Sequence, residues 1–257
     1  MDPITFGVAQ SAAGQGASST YVEDVFNTYL YDGTSSTQSI NNGIDLSGEG
    51  GLVWIKVRDT TDHNLLYDTE RGPTKQLISN SANGQSTESR FSSFNSNGFT
   101  ITTNDNEINQ SAYDYVSWSF RKAPGFFDVV TYNGNDTVRD IPHSLGSTPG
   151  MVIVKCTSHS GFWTVWHRSA GFSYQQRLRL DENDDIQSGE AFWGNSSTAP
   201  NMNASTFSVG TTDQVNATGR TYVAYIFAHD DQSFGENEDQ SIIKCGSFTS
   251  GSFTTNV

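Results

Sequence analysis

Gly51-Leu52-Val53-Trp54-Ile55-Lys56 and, 99 residues later, Gly150-Met151-Val152-Ile153-Val154-Lys155 are the stretches that decide how this chain folds. Each is a continuous apolar run, which reads as a strand buried on both faces. Tyr115-Val116-Ser117-Trp118-Ser119-Phe120 instead alternates large and small residues, the period-two signature of a half-buried strand. No stretch after residue 30 offers a long helical stripe.

The two apolar runs belong to a longer internal repeat. Leu65-Leu66-Tyr67-Asp68 aligns with Thr164-Val165-Trp166-His167, and Arg71-Gly72 with Ala170-Gly171, at the same spacing of 99. Gly98-Phe99-Thr100-Ile101 pairs with Thr206-Phe207-Ser208-Val209 at a spacing of 108, and Tyr115–Phe120 with Tyr222–Phe227 at 107. A short lead-in motif precedes each copy, Tyr29-Leu30-Tyr31-Asp32-Gly33 and Val130-Thr131-Tyr132-Asn133-Gly134, at a spacing of 101. Each match alone is weak, but all are collinear. They predict two copies of one domain of about 100 residues, the second with a net insertion near Asp181–Ser197. Ile242-Ile243-Lys244-Cys245-Gly246-Ser247-Phe248-Thr249 reads as a third lead-in motif. The expectation is an ordered N-terminal part of a longer repetitive polypeptide.

Composition agrees with strands rather than helices. The chain has 257 residues, only 16% of them charged, with 24 Gly and 12% aromatic residues to fill a core. Asn-Gly pairs at 42–43, 83–84, 97–98 and 133–134 are hairpin-turn signals. The six prolines lie in turn-like surroundings. The expected fold is all-β: tandem antiparallel β-sandwich repeats, jelly-roll-like, with an N-terminal arm. The expected boundaries are 1–24 for the arm, 25–123 and 124–232 for the two repeats, and 233–257 for a linker and the start of a third repeat.

Fourteen Lys and Arg against 28 Asp and Glu give a net charge of −14. No basic stripe exists to neutralise phosphates, so nucleic acid and anionic membrane surfaces are excluded as expected partners. Two cysteines, Cys156 and Cys245, are too few for a disulfide framework. No basic n-region opens the chain and no apolar run approaches the ~20 residues of a membrane helix. A soluble protein made in a cytoplasm is expected.

No residue pattern points to catalysis. His63, His143, His159, His167 and His229 show no metal spacing, and the Ser neighbours of His143 and His159 lack a nucleophile elbow. Asp181-Glu182-Asn183-Asp184-Asp185 would need Gly at 186 and Glu at 192 to be a calcium loop; those positions hold Ile186 and Phe192. That run reads as a solvated hairpin tip, and the acidic run from Asp230 to Asp239 as a linker kept soluble by charge. Asp68 and Arg71 read as a structural ion pair that the second copy, with His167 and Ala170, does not share. Trp163 and Trp166 face opposite ways in a strand; the favoured reading puts both in a core or interface, with an outward sugar-stacking platform as the alternative. No enzyme, cofactor or metal is expected.

Several of these runs resemble known proteins. Tyr21–Leu30, Asn41–Leu46, Gly51–Lys56, Asp68-Thr69-Glu70-Arg71-Gly72, Pro124–Val130, Ser144-Leu145-Gly146 and Tyr222–Asp231 resemble repetitive virion structural proteins of marine bacteriophages, especially cyanophages, usually assigned to tail fibers. The resemblance covers nearly everything after residue 20 and implies a homotrimeric tail-fiber segment in the virion, assembled in the host cytoplasm. Its implied partners are itself and tail adaptor or nozzle proteins, with host surface glycan or protein contacted only by distal parts. The alternative is a carbohydrate-binding module or depolymerase acting on host surface glycan. Residues 1–24 belong to neither copy; Ile4, Phe6 and Val8 are the apolar tip expected to dock in a partner groove on the tail.

Overall fold

The alternating and continuous apolar runs all become strands. The computed structural model describes residues 19–102, 104–197, 199–231 and 234–248. Ile4, Phe6 and Val8 therefore lie outside the described residues. The first half opens with one helical turn, α1 (Val22–Val25), followed by β1 (Phe26–Asp32), β2 (Gln38–Asn41), β3 (Gly51–Val57), β4 (Asn64–Asp68), β5 (Lys75–Ile78), β6 (Ser86–Thr87), β7 (Phe91–Asn95), β8 (Gly98–Ile101) and β9 (Asp114–Arg121). The second half carries β10 (Phe127–Asn133), β11 (Arg139–Pro142), β12 (Met151–Cys156), β13 (Thr164–His167), β14 (Gln176–Arg179), β15 (Gln187–Ser188), β16 (Thr206–Val209) and β17 (Thr221–Phe227).

The chain is all-β, made of antiparallel sandwiches. In the first half a six-stranded sheet of order β1-β9-β3-β4-β5-β6 faces a three-stranded sheet, β2-β8-β7. The second half has the order β10-β17-β12-β13-β14-β15 facing β11-β16. Strand for strand the large sheets have one order, and the registers coincide. Trp54 opposes Trp118 as Ile153 opposes Tyr225, and Ile40 opposes Phe99 as Ile141 opposes Phe207. Among the described strands only β7 lacks a full counterpart; the second half keeps a single bridge there, Met202 to Phe207, and its Phe192 and Trp193 fill the core. Of the Asn-Gly pairs, Asn83-Gly84 lies between β5 and β6, which pair with each other, and Asn97-Gly98 closes the β7–β8 hairpin with Gly98 as the first residue of β8. Asn42-Gly43 and Asn133-Gly134 instead end strands whose successors join the other sheet of the sandwich, so they are not hairpin turns.

Three cores result. Val53, Ile55, Tyr67, Phe99 and Tyr115 lie between the sheets of the first half. Val152, Val154, Trp166, Phe207 and Tyr222 lie between those of the second. The third core is a seam between the halves, with Leu52, Leu66 and Leu77 on one side and Ile153, Val165, Tyr225 and Phe227 on the other. The two large sheets thus stack on each other by their outer faces. Successive side chains of a strand point to opposite faces. In β3, Val53 and Ile55 enter the sandwich while Leu52 and Trp54 enter the seam. That is why the run is apolar throughout. Full burial of each such side chain contributes ~1.5–3 kcal/mol.

The joint between the halves is part of this core. Residues 122–126 turn sharply, Ala123 N–H bonding to Phe127 O at 3.0 Å and Gly125 taking a φ of 73°. Phe126 and Phe127 are buried in the seam, and the Phe127 ring lies 5.6 Å from Phe120 and 5.0 Å from Phe227. The halves are therefore welded face to face rather than strung on a flexible link. At the far end no strand forms over 242–245. Ile242 and Ile243 pack back on the second half, and Cys245 is buried with its N–H donating to His229 Nδ1 at 2.9 Å.

The lead-in motif owes its repetition to a clamp present in both halves. Tyr31 stacks on Tyr115 at 5.1 Å and donates to Ile108 O at 2.9 Å. Tyr132 stacks on Tyr222 at 5.3 Å and donates to Val215 O at 2.7 Å. The fully buried Asn109 receives the Thr34 N–H at 3.0 Å and donates to Ser36 O at 2.6 Å. Its counterpart Asn216 receives the Asn135 N–H at 3.2 Å and donates to Thr137 O at 2.7 Å. Ser35 and Asp136 take the left-handed φ values of 57° and 56° that this turn imposes. Gly33 is required because a Cβ there would sit 2.1 Å from Gln110 O; at Gly134 it would sit 2.0 Å from Ala217 O. Asn109→Ala removes two bonds to partly exposed backbone groups, each worth ~0.5–1.5 kcal/mol. Chemical denaturation should show a loss of about 1–3 kcal/mol, and Asn216→Ala, which also frees the buried Gly210 carbonyl, at least as much; a loss below ~0.5 kcal/mol in both would mean that water replaces the clamp.

Candidate functional site

Polar groups buried in the seam set its register. Asp68, at the end of β4, and Arg71, in the turn after it, form an ion pair at 2.6 Å, and their side chains are 0% and 4% exposed. Tyr225 of β17 donates to Asp68 Oδ2 at 2.8 Å, and Arg71 Nη2 donates to the Tyr225 oxygen at 3.3 Å. Burial alone disfavours the Arg71 cation, but Asp68 and then Tyr225 outweigh it and hold its pKa above the ordinary value. Burial pushes the Tyr225 phenol well up, so it stays a neutral donor. The pair is structural, and its absence from the second copy follows from its task, which is to receive one tyrosine of the other half.

A second clasp holds the loop between β5 and β6. Trp163 Nε1 donates to Ile78 O at 3.0 Å and Ser81 O at 3.1 Å. Gly161 N–H reaches Ala82 O at 2.8 Å, and Gln85 N–H reaches Thr157 O at 2.8 Å. The Lys155 ammonium is fully buried, bonded to Ala82 O and Gly161 O, and lies 5.7 Å over the Trp163 ring. Burial pushes its pKa down to about 8, with Asp181 acting the other way. At the rim, Lys122 bridges Glu70 at 2.8 Å and Asp128 at 3.2 Å across the joint.

The remaining residues singled out by sequence scatter. Trp163 enters the seam and Trp166 the second sandwich, so neither is an outward platform. Trp54 and Trp118, in contrast, are half-buried, edge to face at 6.4 Å. Asp181 Oδ1 accepts the Trp163 N–H at 3.0 Å, and Asp184 pairs with Arg179 at 2.8 Å. These contacts tie the acidic run into the second half. Among the described residues no three His, Cys, Asp or Glu side chains converge as a metal site. Cys156 and Cys245 are buried free thiols in the described structure.

One arrangement was missed by sequence. Beside β14 and β15 the second half carries a recess of about 320 Å³ lined by Phe162, Arg177, Arg179, Gln187, Glu190 and Gln214 among others. Arg177 is 4% exposed, yet no described carboxylate pairs with it; Nη1 donates to Thr164 Oγ1 at 3.0 Å and Nε has no partner. Its guanidinium lies 4.3 Å over Phe192, while that of Arg179 lies 3.8 Å over Phe162. Burial first, and then Arg179, lower the pKa of Arg177. The sequence signal was the exchange of Gln76 and Ile78 of the first copy for Arg177 and Arg179 of the second, beside the inserted segment.

A family model described as Domain of unknown function (DUF7483) matches residues 21–236. No curated protein and no solved structure matches the chain.

Asp68→Ala leaves the Arg71 charge buried and unpaired, so unfolding free energy should fall by about 3–5 kcal/mol. The double variant Asp68→Leu/Arg71→Met should fall by clearly less, and equal losses would deny that the uncompensated charge is the cause. Lys155 supplies a pH test. Its folded pKa of about 8 lies below the unfolded value, so the unfolded chain binds more protons between about pH 8 and 10.4. Across that window the stability of the native protein relative to Lys155→Met should rise with pH; a flat difference would mean that the ammonium is fully compensated by its carbonyl partners.

Proposed function

The chain belongs to the DUF7483 family, and we propose that it is a bacteriophage tail-fiber segment that anchors the fiber to the tail and carries more distal receptor-binding repeats. The observation that carries the reading is the seam. Two sandwiches of one topology share an apolar face, and their joint is packed with phenylalanine. Such a pair is a stiff element, suited to bear load along a fiber. The sequence resemblance to repetitive virion proteins supports the same role.

Self-association is part of the proposal. Among the described residues β1 pairs only with β9, and β10 only with β17, so each large sheet ends in a seven-residue strand that no described strand pairs on its outer side. Leu30 on β1 is 58% exposed. Open edges are templates for pairing, and shielding them among copies of a homotrimer removes that liability. Ile4, Phe6 and Val8 of the arm are assigned to anchoring on a tail adaptor or nozzle protein. The role proposed is structural and non-enzymatic, with neither nucleic acid nor membrane as partner.

Cryo-electron microscopy of intact particles tests the assignment directly. Density for the double sandwich should occur in the tail, in threefold arrangement; density confined to the capsid would overturn it. Particles assembled with a chain lacking residues 1–20 should lose this protein, whereas full occupancy would place anchoring in the sandwiches. In solution the mass of the purified chain should be three times that of one chain, and a monomer at every concentration would contradict trimerisation through its own edges.

A further inference from the structure

We propose that the recess beside β14 and β15 is a binding site for a hydroxylated monocarboxylate of single-ring size, of the uronic acid type, with Arg177 as its carboxylate anchor.

The two halves provide an internal control. β14 in the second half has the place of β5 in the first, and the registers put Arg177 opposite Gln187 where Gln76 stands opposite Ser86. In the first half this position needs no charge. Gln76 is buried and neutral, its Oε1 accepting the Tyr67 hydroxyl at 2.5 Å. The fold therefore does not require a cation here, and the second half holds one that is 4% exposed. A buried charge is costly unless a counter-charge and hydrogen bonds offset it. Thr164 Oγ1 meets one nitrogen and the rings of Phe192 and Phe162 flank the cation, but no described carboxylate completes it. Arg177 Nε is buried and without a hydrogen-bond partner. Thr164 holds the other end of the guanidinium, and the residue lines the recess.

The surroundings define the ligand. A guanidinium matches a planar carboxylate through paired N–H donors. Among the described residues lining the recess, Arg179 is paired with Asp184 and Asp213 with Arg220, while Arg177 has no ion pair and feels Glu190 and Asp213 only at longer range. Glu190 and Asp213 also line the recess, which disfavours a multiply charged phosphate or sulfate and suits a single negative charge. Gln187, Ser188 and the two rim carboxylates offer donors and acceptors to hydroxyl groups. A volume of about 320 Å³ stands at the small end of ligand sites, enough for one ring. Gln187 and Ser188 of β15 hold the places of Ser86 and Thr87 of β6, whereas Glu190 and Phe192 come from the longer connection that follows β15. The site goes beyond the tail-fiber reading and stands or fails independently of it, because it needs only the folded second half.

Isothermal titration calorimetry of the whole chain with sodium glucuronate tests the proposal, with glucose and inorganic sulfate as the neutral and tetrahedral probes. One saturable glucuronate site per chain is expected, with glucose and sulfate binding at least tenfold more weakly. Arg177→Gln, which installs the residue of the first half, should weaken glucuronate binding about tenfold or more while the circular dichroism spectrum is retained. Glu190→Gln, at an exposed position, should strengthen binding several-fold by removing a like charge, and it remains informative if Arg177→Gln does not fold. The proposal is overturned if glucuronate shows no saturable binding, if glucose or sulfate binds equally well, if folded Arg177→Gln binds as the native chain does, or if Glu190→Gln leaves the affinity unchanged.

Discussion

The structure depends on the contact between two large sheets that are apolar on both faces. A sheet needs one buried face to make a sandwich, and each half has it, with Tyr115 or Tyr222 at its centre. The opposite faces carry Leu52, Leu66, Leu77 and Phe120 in one half and Met151, Val165, Leu178 and Phe227 in the other, at equivalent positions. Neither set is compatible with solvent as a contiguous patch. Stacking them satisfies both at once and makes a four-layer body from two ordinary sandwiches. The buried polar groups then become intelligible as restraints on sliding. Apolar packing is non-directional, whereas the bonds of Tyr225 to Asp68 and of Trp163 to Ile78 and Ser81 permit one register.

Much of this architecture is legible in the sequence, and the boundary of legibility is physical. The runs at Gly51 and Gly150 announce strands buried twice over because both their odd and even positions are apolar. What covers the second face is not written in such a run, since a partner chain, a helix layer or a sister repeat would demand the same residues. The lead-in motif that ends in glycine is visible as a repeat, but its partners Asn109 and Asn216 are isolated asparagines among many, and only the folded turn shows them filling the clamp. Asp68 and Arg71 are adjacent enough to pair by inspection, yet their third member lies 154 residues beyond Arg71. Arg177 looks like one arginine of a charged strand until its burial and its unpartnered Nε are seen.

The two halves have diverged in a consistent direction. The first keeps three strands in its small sheet and closes the position of Gln76 with a tyrosine. The second reduces β7 to a single bridge, lengthens the connection between β15 and β16 and carries a recess around an arginine pair. One half supplies the acid–base pair for the seam; the other supplies the tyrosine, tryptophan and lysine that engage the first. A duplicated domain whose copies specialise in this way acts as one body, with the seam as scaffold and the divergent surface of the second half free to vary.

The seam unites the halves into one cooperative unit, and differential scanning calorimetry of the chain measures that cooperativity. A single transition is expected, with a calorimetric enthalpy equal to its van't Hoff enthalpy, as for one two-state body. Two resolved transitions, or a calorimetric enthalpy about twice the van't Hoff value, would mean that the sandwiches melt independently, and the seam would then be mere apposition.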